Sequence, residues 1–138
     1  MFPGQARSRF ESARVARLAT ADAAGRPHLV PIVFAPIADA LFTVIDAKPK
    51  GDPARLRRLR NIRANAAVSV LVDEYDEDWA QLWWARADGT ARILDPADPE
   101  TDEPLDALRA RYPQYVESPP PGPLIAIAVD RWSGWTAR

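Results

Sequence analysis

Three runs between residues 15 and 45 decide the fold: Val15-Ala16-Arg17-Leu18-Ala19-Thr20, then His28-Leu29-Val30-Pro31-Ile32-Val33-Phe34, then Leu41-Phe42-Thr43-Val44-Ile45. Each has strand length and β-branched or aromatic content. The breaks between them, Asp22 to Pro27 and Pro36 to Asp39, are short enough for hairpins. The expectation is an antiparallel meander of three consecutive strands.

Working outward, the segment before Ala13 carries a weak helical signal anchored by Phe10. Downstream, Asp52-Pro53 has the form of a helix start, a capping side chain followed by a proline whose missing N–H would be unpaired anyway. Leu56, Leu59 and Ile62 recur every three residues as one buried stripe and leave Arg57, Arg58 and Arg60 off it. Ala67 to Val72 reads as a fourth strand. Gln81 to Arg86 continues through Asp88-Gly89 into Thr90 to Leu94 as a fifth, with the Asp-Gly pair a bulge or a tight turn, since glycine takes positive φ cheaply. After an acidic, proline-rich loop from Asp95 to Pro104 comes a short helix, Leu105 to Tyr112, ended by Pro113. The cluster Pro119-Pro120-Pro121-Gly122-Pro123 launches the sixth strand, Leu124 to Val129. The sum is a mainly β protein with short helices, a six-stranded antiparallel sheet closed into a small barrel, in one domain spanning residues 1–138.

The 138 residues are 47% apolar, enough for a core. No stretch approaches the roughly 18 apolar residues of a membrane span, and the N-terminus has no signal-peptide core, which points to a cytoplasmic protein. There is no cysteine and only one histidine. Thiolate nucleophiles, disulfides and Cys- or His-rich metal sites are thereby excluded, and no metal is expected. A net charge of −1 argues against a general nucleic-acid binder. The charge is uneven, however. Residues 48 to 63 carry Lys48, Lys50, Arg55, Arg57, Arg58, Arg60 and Arg63 against the single acid Asp52.

Lys48 and Lys50 are the only lysines of the chain. Mobile ammonium groups followed by rigid guanidinium forks suit a phosphate or an oligo-carboxylate tail, and a solvated basic loop and helix face is the alternative. His28 opens its strand with a pKa suited to acid–base work near neutrality, or serves as an ordinary structural residue. Trp79, Trp83 and Trp84 either stack a flat ring or bury apolar area in a core or interface. No serine stands in a Gly-x-Ser-x-Gly elbow. The carboxylates of 73 to 78 lack the spacing and glycine of a calcium loop and read as solvated.

Taken together, Arg14 to Thr20, Asp22 through Gly25-Arg26-Pro27-His28-Leu29-Val30-Pro31-Ile32, Leu41 to Asp46 with Lys48 and Lys50, and Leu59-Arg60-Asn61-Ile62-Arg63-Ala64-Asn65 resemble the pyridoxamine 5′-phosphate oxidase-like split β-barrel family. Asp76-Glu77-Asp78-Trp79, Leu82-Trp83-Trp84 and Trp132-Ser133-Gly134-Trp135 are similar to its branch of PPOX-class probable F420-dependent enzymes. The resemblance implies a split barrel of the FMN-binding type and a homodimer with cofactor sites at the subunit interface. It implies an oxidoreductase passing hydride between coenzyme F420 and an organic small molecule, with FMN as the alternative cofactor and a non-catalytic cofactor or heme carrier as the alternative role. By the same resemblance His28, Leu29, Val30 and Pro31 lie along the ring and Phe42 and Thr43 flank it. Lys48, Lys50, Arg57, Arg58 and Asn61 take the phosphate and polar tail, and Trp79 or Trp83 covers the site from the partner subunit. Residues Gly51 to Ala54 are additional relative to simpler members. No catalytic residue is assigned.

Overall fold

The computed structural model describes residues 1–46 and 56–138. Lys48, Lys50, the Gly51 to Ala54 segment and the Asp52-Pro53 helix start lie outside the described residues. Helix α1 (Pro3–Ser12) precedes β1 (Ala16–Ala21), β2 (Pro27–Ile32), β3 (Ala35–Ile37) and β4 (Ala40–Val44). Helix α2 (Arg57–Ala64), β5 (Ala67–Glu74) and β6 (Trp83–Leu94) follow, then α3 (Asp102–Arg111), α4 (Gln114–Glu117) and β7 (Leu124–Thr136).

All strands belong to one antiparallel sheet of seven, in the order β2-β1-β5-β6-β7-β4-β3. The expected count of six is thus corrected by β3, a three-residue strand drawn from what reads as a break in the sequence. The expected three-strand meander is corrected too: β1 and β2 form the first hairpin, whereas β4 pairs with β3 and β7 and not with β2. Proline is the physical reason. Pro27 and Pro31 in β2 and Pro36 in β3 cannot donate to a ladder, and the strands that carry them are the two edges of the sheet.

Those two edges are consecutive in sequence, joined only by Val33 and Phe34. Three Cα steps reach at most about 11 Å, so the sheet must curl until its edges nearly meet. The curl encloses the main core, in which Leu18, Phe34, Leu41, Val70, Val72, Ile125 and Ile127 pack with Leu59 and Ile62 of α2. Phe10 of α1 plugs one end, edge-on to Phe34 at 5.9 Å and to Trp132 at 5.2 Å. A second cluster lies under α3 and α4, with Val44, Leu94 and Leu124 against Leu108, Tyr112 and Tyr115.

Boundaries move by a few residues in several elements, furthest in β7. Helix α3 begins at Asp102, because Pro104 falls in its first turn, where no N–H is needed. Strand β7 runs on to Thr136 and takes in Trp132-Ser133-Gly134-Trp135. Asp88-Gly89 is a bulge inside the continuous β6. Its glycine is required by close approach rather than by positive φ, since a Cβ there would lie 2.2 Å from the carbonyl oxygen of Ala128.

Candidate functional site

Where the curled edges come together they leave an open cleft of about 260 Å³. Val15, Pro31, Ile32 and Val33 form one wall, Thr43 and Val44 the other, and Asp46 and Arg58 carry the charge at its rim. Thr43 ties the walls together, its hydroxyl donating to the carbonyl of Val33 at 2.8 Å. Asp46 accepts from the hydroxyl of Tyr115 at 3.0 Å. Burial, and after it the adjacent Asp46 carboxylate, pushes the Tyr115 phenol well above its ordinary pKa, so Tyr115 remains a neutral donor.

The crossing segment Val33-Phe34 cannot pair with β2; the carbonyl of Val33 is met by Thr43, and the backbone groups of Phe34 are satisfied from α3 and its C-cap. Phe34 N–H donates to the Tyr112 hydroxyl at 3.1 Å, and that hydroxyl lies within donating distance of the carbonyls of Phe34 (2.9 Å) and Arg14 (3.0 Å). Arg111 donates to the carbonyls of Phe34 and Glu11, both at 2.8 Å, and to that of Ala13. The guanidinium of Arg14 returns a bond to the carbonyl of Arg111. The wall of the cleft is therefore held by an appendage about 80 residues away in sequence.

The family model described as pyridoxamine 5′-phosphate oxidase matches residues 2–136. The chain belongs to this family. Among solved structures, it is similar to a conserved hypothetical protein from Mycobacterium tuberculosis, at 21% identity over 100% of this chain and 86% of that one, with a TM-score of 0.78. It is similar to a FAD-binding protein from Mesorhizobium loti, at 22% identity over 97% and 94% with a TM-score of 0.76. It is also similar to HutZ, the heme storage protein from Vibrio cholerae, at 18% identity over 99% and 95% with a TM-score of 0.74. At these identities the likeness is one of fold. The split barrel expected from the sequence is the fold of this family member, with seven strands.

The structure brings Pro31, Thr43 and Arg58 of the sequence-derived site residues to the cleft. Arg57, next to Arg58 on α2, is exposed. His28 and Val30 turn to the same face of β2 as the buried Ile32. The Nδ1 of His28 is buried without a hydrogen-bond partner, and its pKa is lowered first by burial and then by the positive charges of Arg57 and Arg58. Asn61 is 5% exposed and its amide donates to Thr20 at 3.0 Å, which fastens α2 to β1.

The others are placed elsewhere. Leu29, 66% exposed, points outward and shares a shallow groove with Arg17, Leu71 and Arg86 on the outer face of the sheet. Phe42 packs into the second cluster. Trp83 lies under the guanidinium of Arg9 at 4.5 Å and donates to Glu74 at 3.0 Å, whereas Trp79 is 68% exposed. Neither tryptophan lines the cleft. The residues that sequence reasoning missed are Val15, Ile32, Val33, Val44 and Asp46 in the lining, with Tyr112, Tyr115 and Arg111 behind it. Among the described residues no group of acids and histidine has the arrangement of a metal site, and no helix is long and apolar enough to cross a membrane.

Proposed function

We propose that this family member is an oxidoreductase that binds coenzyme F420 non-covalently in the edge cleft and passes hydride between it and an organic substrate. The observation that carries the reading is the cleft itself, with two apolar strand walls that suit a planar ring and, at the rim, a guanidinium on a helix that carries further cations. Seven cations against one acid in residues 48 to 63 exceed the need of one phosphate and favour a ligand with a longer anionic tail. Lys48, Lys50, Arg57 and Arg58 are the proposed holders of that tail.

The bound cofactor would supply the hydride chemistry, and the chain would supply orientation, charge and exclusion of water. Pro31, Ile32 and Val33 would face the ring on one side and Thr43 on the other. Ligand pockets commonly measure about 300–1,000 Å³. The cleft of one chain is smaller and open, which supports a homodimer whose second copy completes the site. Leu29 and Trp79 are among the exposed apolar side chains available for such a partner to cover.

FMN is the second reading, favoured by the fold shared with the FAD-binding protein of Mesorhizobium loti. Titration of the purified protein with F420 and with FMN, followed by fluorescence, decides between them. Micromolar binding of F420 is expected. Binding of FMN with none of F420 overturns the cofactor assignment, and binding of neither overturns the reading as a whole.

A further inference from the structure

His28, Arg57 and Arg58 are assembled from two elements that the fold locks together. His28 on β2 stands opposite Thr20 of β1, and Thr20 accepts the amide of Asn61 on α2, so the helix bearing both arginines is fixed beside the histidine. Both guanidinium charges act on the imidazole. From β1 the residue facing His28 is the neutral Thr20. In the β1–β2 turn, the carboxylate of Asp22 is already engaged, accepting from the backbone N–H of Arg26 at 2.9 Å and from its guanidinium at 3.0 Å. These bonds, with the backbone one foremost, lower the pKa of Asp22 and keep it ionised. Among the described residues no carboxylate forms an ion pair with Arg57 or Arg58. The cluster thus holds two fixed positive charges and one titratable ring, and the acid that shares a cleft with Arg58 is Asp46, whose carboxylate accepts from the Tyr115 hydroxyl.

We propose that His28, Arg57 and Arg58 form one anion-binding cluster in which His28 takes up a proton when a phosphate-bearing ligand binds. This rests on the reading that α2 receives the phosphate end of the cofactor, and it assigns His28 to that end rather than to the ring. Without the anion, protonation would put a third positive charge beside two others on a half-buried ring, and burial together with those charges lowers the pKa of free His28. An anion between the three groups reverses the local field. The ring then takes a proton from solvent, so that both nitrogens carry hydrogen, Nε2–H donating to an anion oxygen while Nδ1–H stays in its buried position, with no other bond changed. Because Nδ1 is walled in, Nε2 is the edge available to the ligand.

By linkage, affinity is greatest below the pKa of free His28, falls as pH rises through the raised pKa of the complex, and levels off above it. Each unit between the two values is a tenfold change in affinity.

His28 is the only histidine, so its imidazole resonances in an NMR titration are unambiguous. Phosphate monoesters titrate near pH 6 themselves, so sulfate, whose charge is constant there, is the probe for the first arm. The free midpoint is expected below about 6.5, and sulfate is expected to raise it. Replacing both Arg57 and Arg58 by Gln should bring the free midpoint toward the ordinary histidine value and abolish the sulfate response. In the second arm F420 should bind about tenfold more tightly at pH 5.5 than at pH 8 to the natural protein, and with little pH dependence to His28→Gln. A wild-type midpoint unmoved by sulfate, with F420 binding intact and independent of pH, overturns the proposal and leaves the cofactor reading standing. A sulfate-dependent midpoint in a protein that binds neither F420 nor FMN supports the cluster and overturns the cofactor reading instead.

Discussion

Tyr112→Phe tests whether the helical appendage holds the crossing segment of the barrel. The substitution keeps the ring, 8% exposed and packed in the second cluster, and removes only the hydroxyl. Of the three backbone groups that meet this oxygen, the carbonyl of Phe34 keeps Arg111 as a donor. The carbonyl of Arg14 loses its bond, and the N–H of Phe34, a fully buried residue, is left without an acceptor. A lost hydrogen bond costs about 0.5–1.5 kcal/mol and an orphaned buried donor about 1–3 kcal/mol, so a loss of about 2 kcal/mol is expected. In urea unfolding at fixed protein concentration, with a slope of about 2 kcal/mol per M, that is a midpoint lowered by roughly 1 M at unchanged slope. The same variant should bind F420 more weakly, because Val33 is part of the cleft wall. A midpoint equal to that of the natural protein would show that water or a shifted carbonyl replaces the hydroxyl, and would refute the clamp.

Gly89→Ala should cost about 2–4 kcal/mol, since its Cβ meets backbone at 2.2 Å rather than a movable side chain, and a thermal midpoint within a degree or two of the natural one would refute the close approach. Above the ordinary tyrosine pKa of about 10, the unfolded chain releases the Tyr115 proton while the folded chain retains it, so stability should fall with rising pH. Tyr115→Phe should flatten that fall between about pH 10 and 12, and an equally steep loss in the variant would remove Tyr115 as its source. Leu29→Glu, at an outward position on the edge strand, tests the proposed homodimer: the natural protein should sediment as a dimer and the variant as a monomer. A dimer that persists in this variant places the interface elsewhere.

The strands were legible because their alternation and turn chemistry are local, and the helical stripe of Leu59 and Ile62 was legible for the same reason. Pairing was only partly so. Three short runs with short breaks suggest a meander, yet Pro31, with Pro27 just ahead of it, already argues against a central position for the second of those runs. That signal lay in the sequence and was outweighed by loop length. Strand β3 escaped notice because three residues carry no period. Of the residues lining the cleft, Arg58, Pro31 and Thr43 are ones the family resemblance names, whereas Asp46 acquires its setting from Tyr115, 69 positions away, and no local pattern reports such a contact. The Asp88-Gly89 pair reads from sequence as a bulge or a tight turn, and neither the choice between them nor its cause is legible there, since a close approach depends on what the sheet lays alongside.

The prolines that open the barrel also account for the appendage. A strand edge that cannot donate stops the ladder, and the chain leaving it carries backbone groups that no neighbouring strand can satisfy. If they were left buried and unpaired, each would cost more than a surface ion pair contributes. Arg111 and Tyr112 meet this demand at Glu11, Ala13, Arg14 and Phe34 together, which binds α1, β1 and the crossing segment to one helix end. The cleft is consequently a gap in hydrogen bonding between strands whose walls are nonetheless fixed from behind. A site of this construction can accept a flat ligand without reorganising its backbone, so most of the cost of binding falls on the groups at its rim. Those groups are cationic on the α2 side and acidic at Asp46, and the selectivity of the cleft should follow where a ligand carries its negative charge more than the shape of its ring.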